Sequence, residues 1–197
     1  MNALSITKED VDKLPIENCN TEIVVIENRL TAAIAVALLK NKKQLGFDTE
    51  TRPSFRQGVE NLNKVALVQL STETKSFLFR LNKIGIYKPL FKLFSDEKIQ
   101  KIGFSLSNDL LALKKESDFE PRGFIDIQQN AKEIGFESLS LQKIYAILFK
   151  KKLSKRQRLS NWEAEELTAA QKKYAALDAW GCLRIYKEIS ILYSNNG

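Results

Sequence analysis

A buried strand that runs into acid constrains this chain more than any other stretch. Gln44-Leu-Gly-Phe-Asp48 reads as an apolar strand, and Thr49-Glu50-Thr51 follows at once. Side chains two apart on a strand share a face, so Asp48 and Glu50 project side by side from a sheet. Neighbouring carboxylates repel unless a positive charge lies between them, and a divalent cation is the natural candidate. The same residues also fit a solvated turn or a helix cap. The choice depends on whether the chain supplies more ligands.

The chain has 197 residues, enough for one α/β domain with its own core. Its 31 basic residues against 24 acidic give a net charge of +7, which suits a polyanionic partner such as nucleic acid. A basic but otherwise unspecialised protein has the same balance. Cys19 and Cys182 lie far apart with no CxxC pattern. That fits a reducing compartment, and a cytoplasmic setting is expected. The N-terminus lacks the apolar region of a signal peptide, and the longest apolar run, Ala32 to Leu39, is too short to span a bilayer. No membrane is expected as a partner, and nothing in the sequence identifies a partner protein.

Histidine is absent. This excludes Ser-His-Asp and Cys-His nucleophile systems, His-ligated zinc and a His general base. Any acid–base or metal chemistry must use carboxylates, Tyr, Lys or a thiol.

Residues 1–20 are polar and read as a loose N-terminal arm, followed by a single domain over 21–197. The β-branched run 21–26 predicts a first strand. Further strands are expected at 44–48, 64–70, 76–81, 99–104 and 123–127. Helices are expected at 31–40, 87–94, 107–115, from 138 onward and over 168–193, with Asp126 placed to cap the helix after its strand. Strands dominate the first half and helices the second. The expected fold is α/β, a mixed sheet of five or six strands flanked by helices.

The further ligand candidates lie in two places. Tyr174-Ala-Ala-Leu-Asp178 puts a hydroxyl and a carboxylate four apart on one helical face. Asp109 stands just inside the helix that follows strand 99–104. An exposed helical pair and a helix-start acid are the ordinary readings of these two. Taken together with Asp48 and Glu50, however, they give four carboxylates, which would be badly destabilising at one end of a sheet without divalent ions. A pair of such ions is the device for in-line attack of water on a phosphodiester. It needs no histidine.

In these motifs the chain resembles the DEDD superfamily of 3′–5′ exonucleases, in the branch with tyrosine in its third motif. That branch includes ribonuclease D and the Werner-type exonuclease domains. Asp48 and Glu50 in FDTE match the first motif, Asp109 in SNDLLAL the second, and Tyr174 and Asp178 in YAALD the third. KVALVQL at 64–70 and the stretch 138–180 look most like the Werner-type domains. The resemblance implies a ribonuclease H-like fold, removal of nucleoside 5′-monophosphates from a 3′ end of DNA or RNA, and two divalent cations, Mg²⁺ or Mn²⁺. It implies that Asp48 bridges both ions, that Glu50 and Asp178 complete one site, that Asp109 holds the other and that Tyr174 orients the water. Two departures stand out. Thr51 occupies a position where Werner-type domains often carry tryptophan, and Ser105-Leu-Ser-Asn108 occupies a stretch that often carries histidine. Neither a helicase nor a helical RNA-binding region is expected to accompany these motifs, so the domain is expected to reach a single-stranded or recessed 3′ end alone or through a partner. A catalytically silent nucleic-acid-binding module of the same fold is the alternative.

Candidates for substrate contact cluster around these motifs. Six of the nine residues 150–158 are basic, and Lys155, Arg156 and Arg158 are placed to hold a phosphate backbone. A solvated basic loop has the same composition. Arg52, Phe55 and Arg56 follow the acidic strand and could meet the terminal base. Thr49, Thr51 and Asn108 flank the carboxylates. Trp162 reads as a packing anchor and Cys182 as a buried small residue.

Overall fold

The computed structural model describes residues 4–18, 20–52 and 64–195. Six strands form one mixed sheet: β1 (Glu22–Ile26), β2 (Gln44–Thr51), β3 (Val65–Ser71), β4 (Lys75–Arg80), β5 (Gln100–Gly103) and β6 (Phe124–Asp126), in the order β1-β4-β3-β2-β5-β6. The β2, β3 and β4 strands run antiparallel in succession. Parallel strands extend the sheet at both ends, β1 beside β4 and β5 then β6 beside β2. The helices are α1 (Lys8–Lys13), α2 (Arg29–Leu39), α3 (Leu81–Ile84), α4 (Lys88–Phe94), α5 (Ser107–Glu116), α6 (Ile127–Glu133), α7 (Leu141–Phe149) and α8 (Ala169–Asn195).

The α/β expectation holds, and the element ends differ in one place that matters. The β2 strand continues through Thr51, because β3 keeps pairing with it as far as a bulge between Glu50 and Thr51. Asp48 and Glu50 therefore lie within a central strand. They are not in a turn beyond its end.

Alternation along β2 sorts its side chains. Leu45 and Phe47 enter a core built with α2 and α4. There Phe47 meets Phe94 and Phe124 edge to face at centroid distances of 5.8 and 5.1 Å, and the fully buried Phe47 and Phe94 each stabilise the fold by roughly 1.5–3 kcal/mol. Gly46, Asp48 and Glu50 point to the opposite face, which α8 covers. A capping box starts α8: Thr168 Oγ accepts from Gln171 N, and Gln171 Oε1 accepts from Thr168 N. The Gln171 amide also donates to Asn161 O, which ties the preceding loop to the helix.

The first segment is docked where composition suggested a loose arm. Thr7 caps α1, and Leu4 and Ile16 form bridges to Phe136 and Lys152. Its anchor is Glu17, only 3% exposed. The Glu17 carboxylate accepts from Tyr145 Oη at 2.7 Å, Lys151 Nζ at 2.9 Å and Arg184 at 3.2 Å. Burial pushes its pKa up, but the bonds from Tyr145 and Lys151 outweigh that and the net shift is downward. A lowered carboxylate pKa gives stability that is present above the unfolded value, near 4.5, and is lost as pH falls through the folded value. Glu17→Gln should cost about 2 kcal/mol at pH 7, read as a lower denaturation midpoint. The deficit should shrink toward pH 3. A deficit that is constant with pH would contradict the charge-based account.

Candidate active site

The acidic centre is assembled by two elements, and Gly46 sets their spacing. A Cβ at Gly46 would lie 1.9 Å from the backbone oxygen of Ala179. With hydrogen there instead, α8 settles onto β2, and Asp178, the neighbour of Ala179, reaches Asp48. Buried Ala175, Ala176 and Ala179 give α8 a surface flat enough for this approach. Carboxylate oxygens of Asp48, Glu50 and Asp178 all lie within 4.8 Å of one another.

Three acids at this spacing are mutually destabilising when ionised. Burial raises the Asp48 pKa well above its usual value, and the charges of Asp178 and Asp109 raise it further. Burial, then Asp48, Asp178 and Asp109, push Glu50 up as well. Asp178 is also raised by burial, against the opposing pull of the Tyr174 hydroxyl and the Lys155 charge. Oxygen donors this crowded, buried and mutually repulsive fit a divalent cation.

Asp109 stands outside that trio. It accepts a 2.5 Å bond from Thr49 Oγ1, and Thr49 lies on the other face of β2 from Asp48 and Glu50. Burial raises the Asp109 pKa to about 6, with Thr49 opposing and Asp126 adding to the rise. Its position depends on a tight entry into α5. Ser105 takes a left-handed conformation at φ 56°. Asp126 Oδ1 and Oδ2 accept from Ser105 N and Leu106 N at 3.0 Å each. Asp126 also caps α6 through Gln128 N, so one carboxylate fixes two helix starts.

Tyr174 is buried over Trp162, ring centroids 5.9 Å apart. Its hydroxyl is turned toward Asp178, and burial with the neighbouring carboxylates raises its pKa far above the usual phenol value. The phenol therefore stays protonated and acts as a donor. Trp162 is fully buried, in keeping with a packing role.

The substrate-contact candidates separate. Thr49 is buried, and its hydroxyl donates to Asp109. Thr51 is half-buried at the end of β2, and Asn108 is exposed in the first turn of α5. Arg52 pairs with Glu163 at 3.3 Å. Phe55 and Arg56 lie outside the described residues. Of the basic run, Lys151 turns inward to Glu17 and Lys152 Nζ donates to Asp12 O. Lys155, Arg156 and Arg158 are exposed and make no ion pair among the described residues.

Sequence reasoning passed over Gln69. It lies opposite Asp48 in the β2–β3 register, on the same face and fully buried, and neither amide atom has a hydrogen-bond partner among the described residues. One polar side chain inside the apolar run Val65–Leu70 was the available signal.

The 3′–5′ exonuclease family model matches residues 23–192. The chain is 31% identical over 154 residues to the mouse bifunctional 3′–5′ exonuclease/ATP-dependent helicase WRN, covering 75% of this chain and 11% of that protein. It is 32% identical to an Arabidopsis thaliana 3′–5′ exonuclease, covering 75% of this chain and 53% of the relative. It is also 32% identical to Haemophilus influenzae ribonuclease D, covering 83% and 40%. The chain thus spans about half or less of these relatives. Among solved structures, the Aedes aegypti Nibbler EXO domain superposes with a TM-score of 0.81 at 21% identity, over 91% of this chain and 93% of that one. Escherichia coli RNase D gives 0.79 at 22%, over 90% and 46%. The fold is theirs, a ribonuclease H-like sheet with helices, and with the family model spanning β1 to α8 the chain belongs to the DEDD family of 3′–5′ exonucleases.

Proposed function

We propose that this domain removes nucleotides one at a time from the 3′ end of a DNA or RNA strand, as nucleoside 5′-monophosphates, with two divalent cations, Mg²⁺ or Mn²⁺. The observation that carries the reading is the convergence of Asp48, Glu50 and Asp178 within 4.8 Å beneath a protonated tyrosine. Asp48, Glu50 and Asp178 would hold one cation, and Asp48 with Asp109 the other. When bound, such ions lower the pKa of a water and neutralise charge on the leaving oxygen.

The protein's own groups do the positioning. The Tyr174 hydroxyl, held toward Asp178, donates to or orients the oxygen that attacks. The Thr49 hydroxyl holds the Asp109 carboxylate beside β2, within reach of the Asp48 and Glu50 charges, and Asp126 holds the turn from which Asp109 projects. No base edge is read by carboxylates and a phenol, so the site is expected to tolerate any base. A second reading, RNA in preference to DNA, is favoured by the relatives named as ribonuclease D, one of them solved with RNA U12. No helix of the described residues is long and apolar enough to cross a membrane, and we place the domain in the cytoplasm.

The test uses 5′-labelled single-stranded DNA, recessed-3′ duplex and RNA with Mg²⁺, Mn²⁺ or EDTA. A 3′-shortening ladder abolished by EDTA is expected. Absence of shortening on all three substrates would leave the silent binding module as the reading. Tyr174→Phe is expected to lower turnover roughly a hundredfold with strand affinity changed less than twofold. Equal losses in both would remove tyrosine from the chemical step.

A further inference from the structure

The docked N-terminal segment does more than close the fold, because it forms one wall of a groove. The opposite wall is the loop that enters Trp162, and the first turn of α7 closes one side. The cavity is about 510 Å³. Lys8 from α1, Lys143 from α7, and Lys152, Lys155 and Arg156 from the loop line it, with Asp12 the single acid. Lys8, Lys143, Lys155 and Arg156 make no ion pair among the described residues. Four cations outside any ion pair around one concavity repel one another, and a polyanion relieves that repulsion.

The groove is built before any ligand arrives. Glu17 N donates to Lys152 O and Lys152 N to Pro15 O, both at 2.9 Å. Lys152 Nζ reaches Asp12 O, and the buried Glu17 carboxylate locks the segment to α7 and α8. No aromatic side chain lines the cavity, which suits phosphates better than stacked bases. The groove also adjoins the acidic centre, since Lys155 lines it and lies within electrostatic reach of Asp178.

We propose that this groove binds the sugar–phosphate backbone of single-stranded nucleic acid several nucleotides before the 3′ end, with the N-terminal segment as a working part of the substrate grip. The proposal rests on the reading of the acidic centre as a site for 3′ ends. Phosphates would follow Lys155 and Arg156 away from Asp178 and then pass between Lys143 and Lys8.

Equilibrium binding in EDTA tests this without cleavage, using a labelled 15-nucleotide strand and a trinucleotide. The double variant Lys8→Ser/Lys143→Ser should bind the 15-mer about tenfold more weakly at moderate salt. Its slope of log K against log salt should be shallower by roughly 1.4, about 0.7 for each cation lost on a single strand. Trinucleotide affinity should stay within twofold, and Lys8→Arg/Lys143→Arg should bind like wild type. Unchanged 15-mer affinity and slope would overturn the proposal, as would equal weakening for both lengths. A free 5′-mononucleotide that binds wild type, fails to bind the double variant and blocks the 15-mer would replace the strand path with a small-nucleotide site. A 15-mer that binds as expected but is never shortened when Mg²⁺ is restored would support the groove while overturning the nuclease reading.

Discussion

Asp48→Asn is expected to lower strand shortening by a thousandfold or more and, in metal-free protein, to raise the melting temperature. The two effects have one cause. Asp48 lies on a central strand against Glu50 and Asp178, and burial and their charges hold its pKa well above normal. An amide there removes the repulsion at little change in volume. About 1 kcal/mol of stabilisation, roughly 2–4 °C in a domain of this size, is the expected gain. On the proposed two-cation reading, loss of Asp48 removes on the order of 4 kcal/mol of transition-state stabilisation. Adding Mn²⁺ should raise the melting temperature of wild type by mass action and leave the variant nearly unmoved. A variant that melts lower than wild type in EDTA would show that the acids are not in conflict.

The pH dependence of the metal-free protein follows from the same repulsion. A carboxylate with a raised folded pKa binds its proton more tightly in the folded than in the unfolded state. Its contribution is fully present below the unfolded pKa and is lost as pH rises through the folded one. Asp109 contributes such a loss from 3.8 to about 6 in both proteins, and Asp48, raised well above 3.8, adds its own loss in wild type alone. In EDTA the stability of wild type relative to Asp48→Asn should therefore fall from pH 4 to pH 7.

Gly46→Ala is the second large effect, and it acts through backbone approach. The new methyl carbon would stand 1.9 Å from Ala179 O and 2.7 Å from Ala179 C. Neither is the free end of a flexible side chain, so β2 or α8 must move. Overpacking of this kind costs about 3 kcal/mol or more when backbone is the obstacle. Since Ala179 follows Asp178, any relaxation carries Asp178 away from Asp48. The expected result is a lower unfolding midpoint together with a loss of Mn²⁺-induced stabilisation larger than the stability change alone would give. A variant with wild-type metal response would show that α8 can shift without moving Asp178. Leu45→Val, a comparable volume change on the other face of β2, should lower stability while leaving the metal response intact.

Much of this was legible in the chain. Asp48 and Glu50 two apart, Asp109 at a strand–helix junction, and Tyr174 and Asp178 four apart are statements about local geometry, and local periodicity is what a sequence displays directly. The six strands and the cap at Asp126 follow from the same short-range rules. Glu17 was not legible, because nothing local distinguishes it from an exposed acid. Its partners Tyr145, Lys151 and Arg184 lie more than 120 residues away, and only their convergence makes burial of its charge tolerable. The partner of Thr49 was not legible for a related reason. Its neighbours on β2 suggested contact with substrate, and only the tertiary structure shows its hydroxyl donating to Asp109, 60 residues away.

The sequence by itself determined the chemistry available: carboxylates, a phenol and basic side chains with no histidine, in an order and spacing that belong to 3′–5′ exonucleases. Tertiary structure decided which of these groups meet. It placed Asp178 against Asp48 through a missing Cβ at Gly46, tied Asp109 to the Thr49 hydroxyl, and folded a polar N-terminal segment into the wall of a basic groove. Composition and periodicity act over a few residues. Repulsion, desolvation and backbone approach depend on distances between residues remote in sequence, and those distances exist only once β2, α8 and the N-terminal segment have packed together.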